Sequence, residues 1–127
     1  AGHLPFCRFV ACKSGQIIGW AALSPVSGRC VYAGVAEVSI SVGEEARGRG
    51  LGVRLMRELI RESEQQGLWT LQSGIFPENQ ASIRLHERTG FRKLGVREKI
   101  GKRDGQWKDN LVFERRSRVV GVDSPAP

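Results

Sequence analysis

Ile40-Ser41-Val42-Gly43-Glu44-Glu45-Ala46-Arg47-Gly48-Arg49-Gly50-Leu51-Gly52-Val53 decides how this chain is read. It contains the end of a strand, a Gly/Arg-rich turn and the first turn of a helix. Three glycines let the backbone bend tightly and present bare N–H groups. The helix N-terminus adds its partial positive charge, so a diphosphate can sit there. Arg47 and Arg49 supply further positive charge at the same place. The spacing Gly48, Gly50, Gly52 does not fit the GxGxxG dinucleotide fingerprint, and no P-loop Lys-Ser/Thr follows. Two other readings stay open at this point: a turn without ligand, and RNA contact through the arginines. Against the second, no aromatic run of the RNA-binding kind accompanies them.

Working outward, Val35 to Val42 alternates, with Ala36, Val38, Ile40 and Val42 on one face and Glu37, Ser39 and Ser41 on the other. That is a half-buried strand with a polar second face. After the turn, Leu51, Leu55, Met56, Leu59 and Ile60 recur at helical spacing until Gly67. Upstream, the apolar runs Pro5–Cys12 and Ile17–Ser24 flank Lys13-Ser14-Gly15-Gln16 and predict a hairpin. Downstream, Leu68 to Ile75 reads as a strand broken by Phe76-Pro77-Glu78. Asn79 to Thr89 reads as a short helix with Asn79 as its N-cap. Phe91 to Ile100 and Gln106 to Arg116 read as two more strands around Lys102-Arg103-Asp104-Gly105. The order ββ, β, α, β, α, ββ predicts a mixed α/β (α+β) domain over residues 1–118, with 119–127 as a flexible tail.

The 127 residues allow one domain and one core. No apolar stretch reaches membrane-spanning length, and Ala1-Gly2-His3-Leu4-Pro5 lacks signal-peptide character. Cys7, Cys12 and Cys30 make an odd number without a CxxC, which favours free thiols packed as small hydrophobes in a reducing cytoplasm and argues against a metal site. The net charge of +7, from fifteen Arg and five Lys against 13 acidic residues, suits phosphate recognition. It does not say whose phosphates.

Arg47-x-x-Gly50-x-Gly52 at a strand–helix junction resembles the pyrophosphate motif of the GNAT acetyltransferases. Asn79-Gln80-Ala81-Ser82-Ile83-Arg84-Leu85-His86-Glu87-Arg88-Thr89-Gly90-Phe91 is similar to that family's second motif. His86, together with Gly101-Lys102 and Gly105-Gln106-Trp107-Lys108-Asp109, looks like the phosphinothricin and methionine-sulfoximine acetyltransferase group. The stretch Arg29 to Ser39 looks like the arsinothricin enzymes. The resemblance spans about Phe9 to Arg116 and implies a central, mostly antiparallel sheet flanked by helices. Family members begin with a strand and two helices that precede the first hairpin here, so the domain is expected to be N-terminally truncated.

The resemblance implies acetyl-CoA as co-substrate, without metal. The implied cofactor set is Ile40, Ser41, Val42, Arg47, Gly48, Arg49, Gly50, Leu51, Gly52, Asn79 and Ser82. It also implies transfer to the amino group of a small amino-acid-like acceptor, and a homodimer with the C-terminal strands near its interface. A nucleic-acid or membrane partner is not expected. Protein or polyamine acetylation, or CoA binding without turnover, are the alternatives.

Acetyl transfer needs an ammonium that loses its proton and a thiolate that leaves. Glu37, the carboxylate on the polar face of its strand, can take the first proton. His86, expected to face the cofactor, can protonate the thiolate or act as base. Arg29 is a candidate for holding an acidic group of the substrate, with Tyr32 beside it. Trp69 and Trp107 are expected to be packing residues.

Overall fold

The structure, a computed structural model, describes residues 8–26, 33–43 and 50–121. Strands β1 (Arg8–Lys13) and β2 (Gln16–Pro25) form a hairpin whose turn residues, Ser14 and Gly15, both have positive φ (52° and 80°). That is the twist a two-residue hairpin turn requires. Strand β3 (Val35–Val42) follows, then helix α1 (Leu51–Gln65), β4 (Thr70–Ile75), helix α2 (Gln80–Arg88), β5 (Arg92–Arg103) and β6 (Gln106–Arg116). The second hairpin turns at Asp104-Gly105, again with positive φ at both residues.

The six strands make one sheet in the order β1-β2-β3-β4-β6-β5, with β3 and β4 parallel and every other neighbour antiparallel. The mixed α+β architecture read from the sequence is therefore the observed one. Alternation separates the two faces of the sheet. Ala36, Val38, Leu71, Ile75, Leu111 and Phe113 point into a core completed by Leu51, Leu55, Met56, Leu59 and Ile60 of α1. Ile83 and Leu85 of α2 pack against the same cluster. Both helices thus cover one face. Glu37 and its cross-strand partners Ser24 and Gln72 lie on the other. Among the described residues, no helix is long and apolar enough to cross a membrane.

Four details depart from the sequence reading. Cys12 is exposed, because β1 is an edge strand and a bulge at Ala11/Cys12 shifts its register; Cys7 and Cys30 lie outside the described residues. Strand β5 starts one residue later and runs three residues further than expected, since a bulge between Arg97 and Gly101 absorbs the extra length and the Asp-Gly turn lets pairing continue to Arg103. Trp107 is exposed on the hairpin with the Lys102 ammonium 5.6 Å from its ring centre, so it is not a core residue. Val119 to Gly121 are tied down: the Ser117 hydroxyl accepts from the Val119 and Val120 amides, and the Arg116 guanidinium donates to the carbonyls of Trp69, Val120 and Gly121.

Candidate active site

The parallel ladder between β3 and β4 has only three rungs, Val35↔Thr70, Ala36↔Leu71 and Glu37↔Gln72. Past Glu37 the two strands part. Between the end of β3 and the two helices lies a cavity of about 390 Å³, in the size range of small-molecule sites. Ile40, Ser41 and Val42 form its β3 wall, and Gly50, Leu51, Gly52 and Val53 bring in the start of α1. Asn79, Ala81, Ser82, Arg84, Leu85 and Arg88 close it from α2. Eight residues selected from the sequence as cofactor contacts are thereby gathered around one space: Ile40, Ser41, Val42, Gly50, Leu51, Gly52, Asn79 and Ser82. Arg47, Gly48 and Arg49 lie outside the described residues, as do Arg29 and Tyr32.

The α1 end of the cavity is electropositive for a backbone reason. Gly50 caps the helix with φ 76° and offers no side-chain bond, and no acidic residue stands in the first turn. The first amides of a helix have no intrahelical acceptor, so those of Leu51, Gly52 and Val53 are available to an anion. Gly52 lies close to its neighbours: a Cβ there would stand 3.2 Å from the Leu85 side chain, which would have to give slightly, and 3.5 Å from Val42. Arg84 and Arg88 line the same space, and neither has an ion-pair partner among the described residues. Reading single motif letters missed these two arginines. The spacing Ala81, Arg84, Leu85, Arg88 on one helical face could have found them.

Asn79 caps α2 as expected, its side-chain oxygen accepting from the Ser82 amide at 3.1 Å. Glu37 is exposed at the last rung of the ladder, on the sheet face opposite the helices.

His86 does not face the cavity. It is 1% exposed, edge-on to Phe91 (ring centres 4.9 Å apart, planes at 76°) and close to Phe113. Its Nδ1–H donates to the Ser82 carbonyl at 2.7 Å, one helical turn back. Its Nε2 is buried without a hydrogen-bond partner among the described residues. Burial lowers the imidazole pKa below its ordinary value, and the bond to the Ser82 carbonyl opposes this only in part. The reason for the misplacement is helical phase: Ile83 and Leu85 straddle the core direction, and the 86 position falls on the side of Phe91 and Phe113. Among the described residues, no cluster of His, Cys, Asp and Glu could hold a metal ion.

The profile of the Acetyltransferase (GNAT) family matches residues 2–91. The L-methionine sulfoximine/L-methionine sulfone acetyltransferase of Pseudomonas aeruginosa is 37% identical over 103 residues, covering 79% of this chain and 58% of that protein. The phosphinothricin N-acetyltransferase of Streptomyces coelicolor is 35% identical, covering 81% of this chain and 60% of its own length. This chain therefore spans under two thirds of the length of these relatives. Among solved structures, the phosphinothricin acetyltransferase of Sinorhizobium meliloti in complex with AcCoA superposes with a TM-score of 0.83 at 30% identity, over 94% of this chain and 65% of the other. On the family profile and these matches, the chain belongs to the Acetyltransferase (GNAT) family.

Proposed function

We propose that this chain is an acetyl-CoA-dependent N-acetyltransferase that transfers acetyl directly, in a ternary complex, to the amino group of a small amino-acid-like acceptor. The observation that carries the reading is the cavity between the end of β3 and the helices, with an uncapped helix N-terminus in its lining. The diphosphate of CoA would lie on the amides of Leu51 to Val53, helped by Arg47, Gly48 and Arg49 in the turn and by Arg84 and Arg88. The pantetheine arm would run along Ile40 to Val42, past Asn79 and Ser82.

When bound, the thioester supplies an activated acetyl group, and the chain's own residues do the rest. Glu37 accepts the ammonium proton of the acceptor, directly or through one water. Backbone amides of β3 near the parting of the strands donate to the carbonyl oxygen as it becomes negative. Arg29 and Tyr32 contact the acceptor's acidic side group. His86 is a positioning residue: from the core it fixes the turn of α2 that carries Ser82.

The chain acts as a homodimer in a cytoplasmic setting, with the C-terminal hairpin at the interface. Leu94, Val96 and Ile100, exposed along edge strand β5, support that placement. The deciding experiment is an amine panel with acetyl-CoA, read by thiol release. Acetylation of amino acids in preference to polyamines or peptide N-termini is expected. Acetyl-CoA binding with no thiol release on any amine would reduce the protein to a CoA-binding module.

A further inference from the structure

The β5–β6 hairpin reaches further than the strand beside it. Strand β4 loses its β6 partner after Ile75↔Leu111, while β6 extends back to Gln106, paired there with β5. The hairpin arm is itself braced: the Asp109 carboxylate accepts from the Lys99 amide at 3.0 Å, across the bulge between Arg97 and Gly101. Its projecting end meets the turn Phe76-Pro77-Glu78-Asn79, through which the chain passes from β4 into α2. Two contacts join them. The Lys108 ammonium donates to the Glu78 carboxylate at 3.1 Å, and the Arg103 guanidinium stands 5.8 Å from the centre of the Phe76 ring. That ring distance is within cation–π reach. The Glu78 carboxyl is held below its ordinary value first by its own backbone amide, then by Lys108, with Arg103 adding its charge. Both cations therefore act on one turn.

The turn passes that hold on to the cavity. The Asn79 amide donates to the Phe76 carbonyl at 2.9 Å, which ties the four residues into one unit. The Asn79 side chain accepts from the Ser82 amide, and the Asn79 carbonyl accepts from the Ile83 amide at 3.1 Å. Asn79 and Ser82 line the cavity, whereas Phe76, Glu78, Arg103 and Lys108 are not part of its lining. We propose that Lys108 and Arg103 are positioning residues for the cofactor: by holding Glu78 and Phe76 they fix the turn that presents Asn79 and the α2 wall of the cavity. The proposal rests on the acetyl-transfer reading for the identity of the ligand. His86 secures Ser82 from the core, and the hairpin secures the turn before it from outside. A wall already in place spares the ligand the cost of ordering it. Loss of the two contacts therefore weakens acetyl-CoA binding and leaves the chemical step alone.

The test uses three readouts. Calorimetry with acetyl-CoA gives the dissociation constant, thiol release at saturating acetyl-CoA gives kcat, and amide hydrogen exchange on the ligand-free chain reports the turn itself. Lys108→Met should weaken acetyl-CoA binding about 3-fold, the size expected of one exposed ion pair. Adding Arg103→Met should bring the loss to about 10-fold, through the cation–π contact. The kcat and Tm should stay near wild type, and Lys108→Arg should restore binding. In a Glu78→Ala background, Lys108→Met should add little, because the partner is already gone. In the ligand-free double variant, exchange should speed at the Ser82 and Ile83 amides while Leu71 and Phe113, in the β4–β6 ladder, keep their rates. Weaker binding with faster exchange along the ladder as well would be general loosening and overturns the inference. So does weaker binding without faster exchange at Ser82 and Ile83, or the reverse. If the wild type binds no acetyl-CoA, the function reading fails and exchange alone decides. Faster exchange confined to Ser82 and Ile83 then supports the hairpin's hold on the turn, and unchanged exchange overturns it.

Discussion

Glu37 and Gln72 form the last rung at which β3 and β4 run together. The ladder ends there, and the carboxylate stands exposed on the sheet face opposite the helices. If Glu37 takes the amine proton, Glu37→Gln keeps the shape and cannot accept it. Turnover should fall about 10²- to 10⁴-fold, the usual range for a lost general base, while acetyl-CoA affinity barely changes. Steady-state thiol release beside calorimetric titration checks both halves. Wild-type turnover in the variant would remove Glu37 from the chemistry.

The α1 N-terminus gives the second prediction. Acetyl-CoA at 100 times its dissociation constant should stabilise the fold by about 2.7 kcal/mol, visible as a raised Tm. Gly50→Asp places a carboxylate where the diphosphate belongs and forces a side chain onto a φ of 76°. The ligand-induced rise should vanish in this variant. A folded wild type with no shift in millimolar acetyl-CoA would contradict the cavity's assignment.

His86 supplies a pH dependence. Its folded pKa is depressed by burial, so the unfolded chain binds a proton more readily than the folded one below the ordinary histidine value of about 6.5. The stabilisation is present above that value and is lost as pH falls through it, with a slope approaching about 1.4 kcal/mol per pH unit for one proton. His86→Phe keeps a ring between Phe91 and Phe113 and removes the titration. Tm measured from pH 5 to 8 should then be flatter in the variant than in the wild type. Turnover at pH 8 should survive in large part. Abolished turnover with an unchanged Tm would return His86 to the reaction.

The edge strand makes the fourth prediction. Light scattering at tens of micromolar should return a dimer, and Leu94→Lys together with Val96→Lys should shift it to monomer without lowering Tm by more than a few degrees. A wild-type monomer under those conditions dismisses the dimer.

Much of this was legible in the chain because local signals and tertiary structure agree. The alternation Val35 to Val42 gave a strand with Glu37 outward, and Asn79 with Gly90 framed α2 within a residue. What stayed hidden depends on non-local geometry. Nothing in the composition of β3 says that its ladder with β4 stops at Glu37. His86 could not be phased against Phe91 and Phe113 until α2 was docked on the sheet. The small recess lined by Glu37, Gln72, Gly74, Arg97 and Asn110 draws on four strands that lie far apart in the sequence. Arg116 looks like any surface arginine until its guanidinium meets the carbonyls of Trp69 and Gly121.

The one parallel pair also sets an order of events when the chain folds. The hairpins β1–β2 and β5–β6 close over two-residue turns and can form from local contacts on a microsecond scale. The pair β3–β4 cannot, because α1 and its flanking turns lie between Val42 and Thr70, and loop closure must precede any gain from pairing. The cavity lined by β3, α1 and α2 is accordingly among the last parts of the molecule to exist. A ligand that occupies it binds only after the slow step, so it should retard unfolding while leaving the refolding rate largely unchanged.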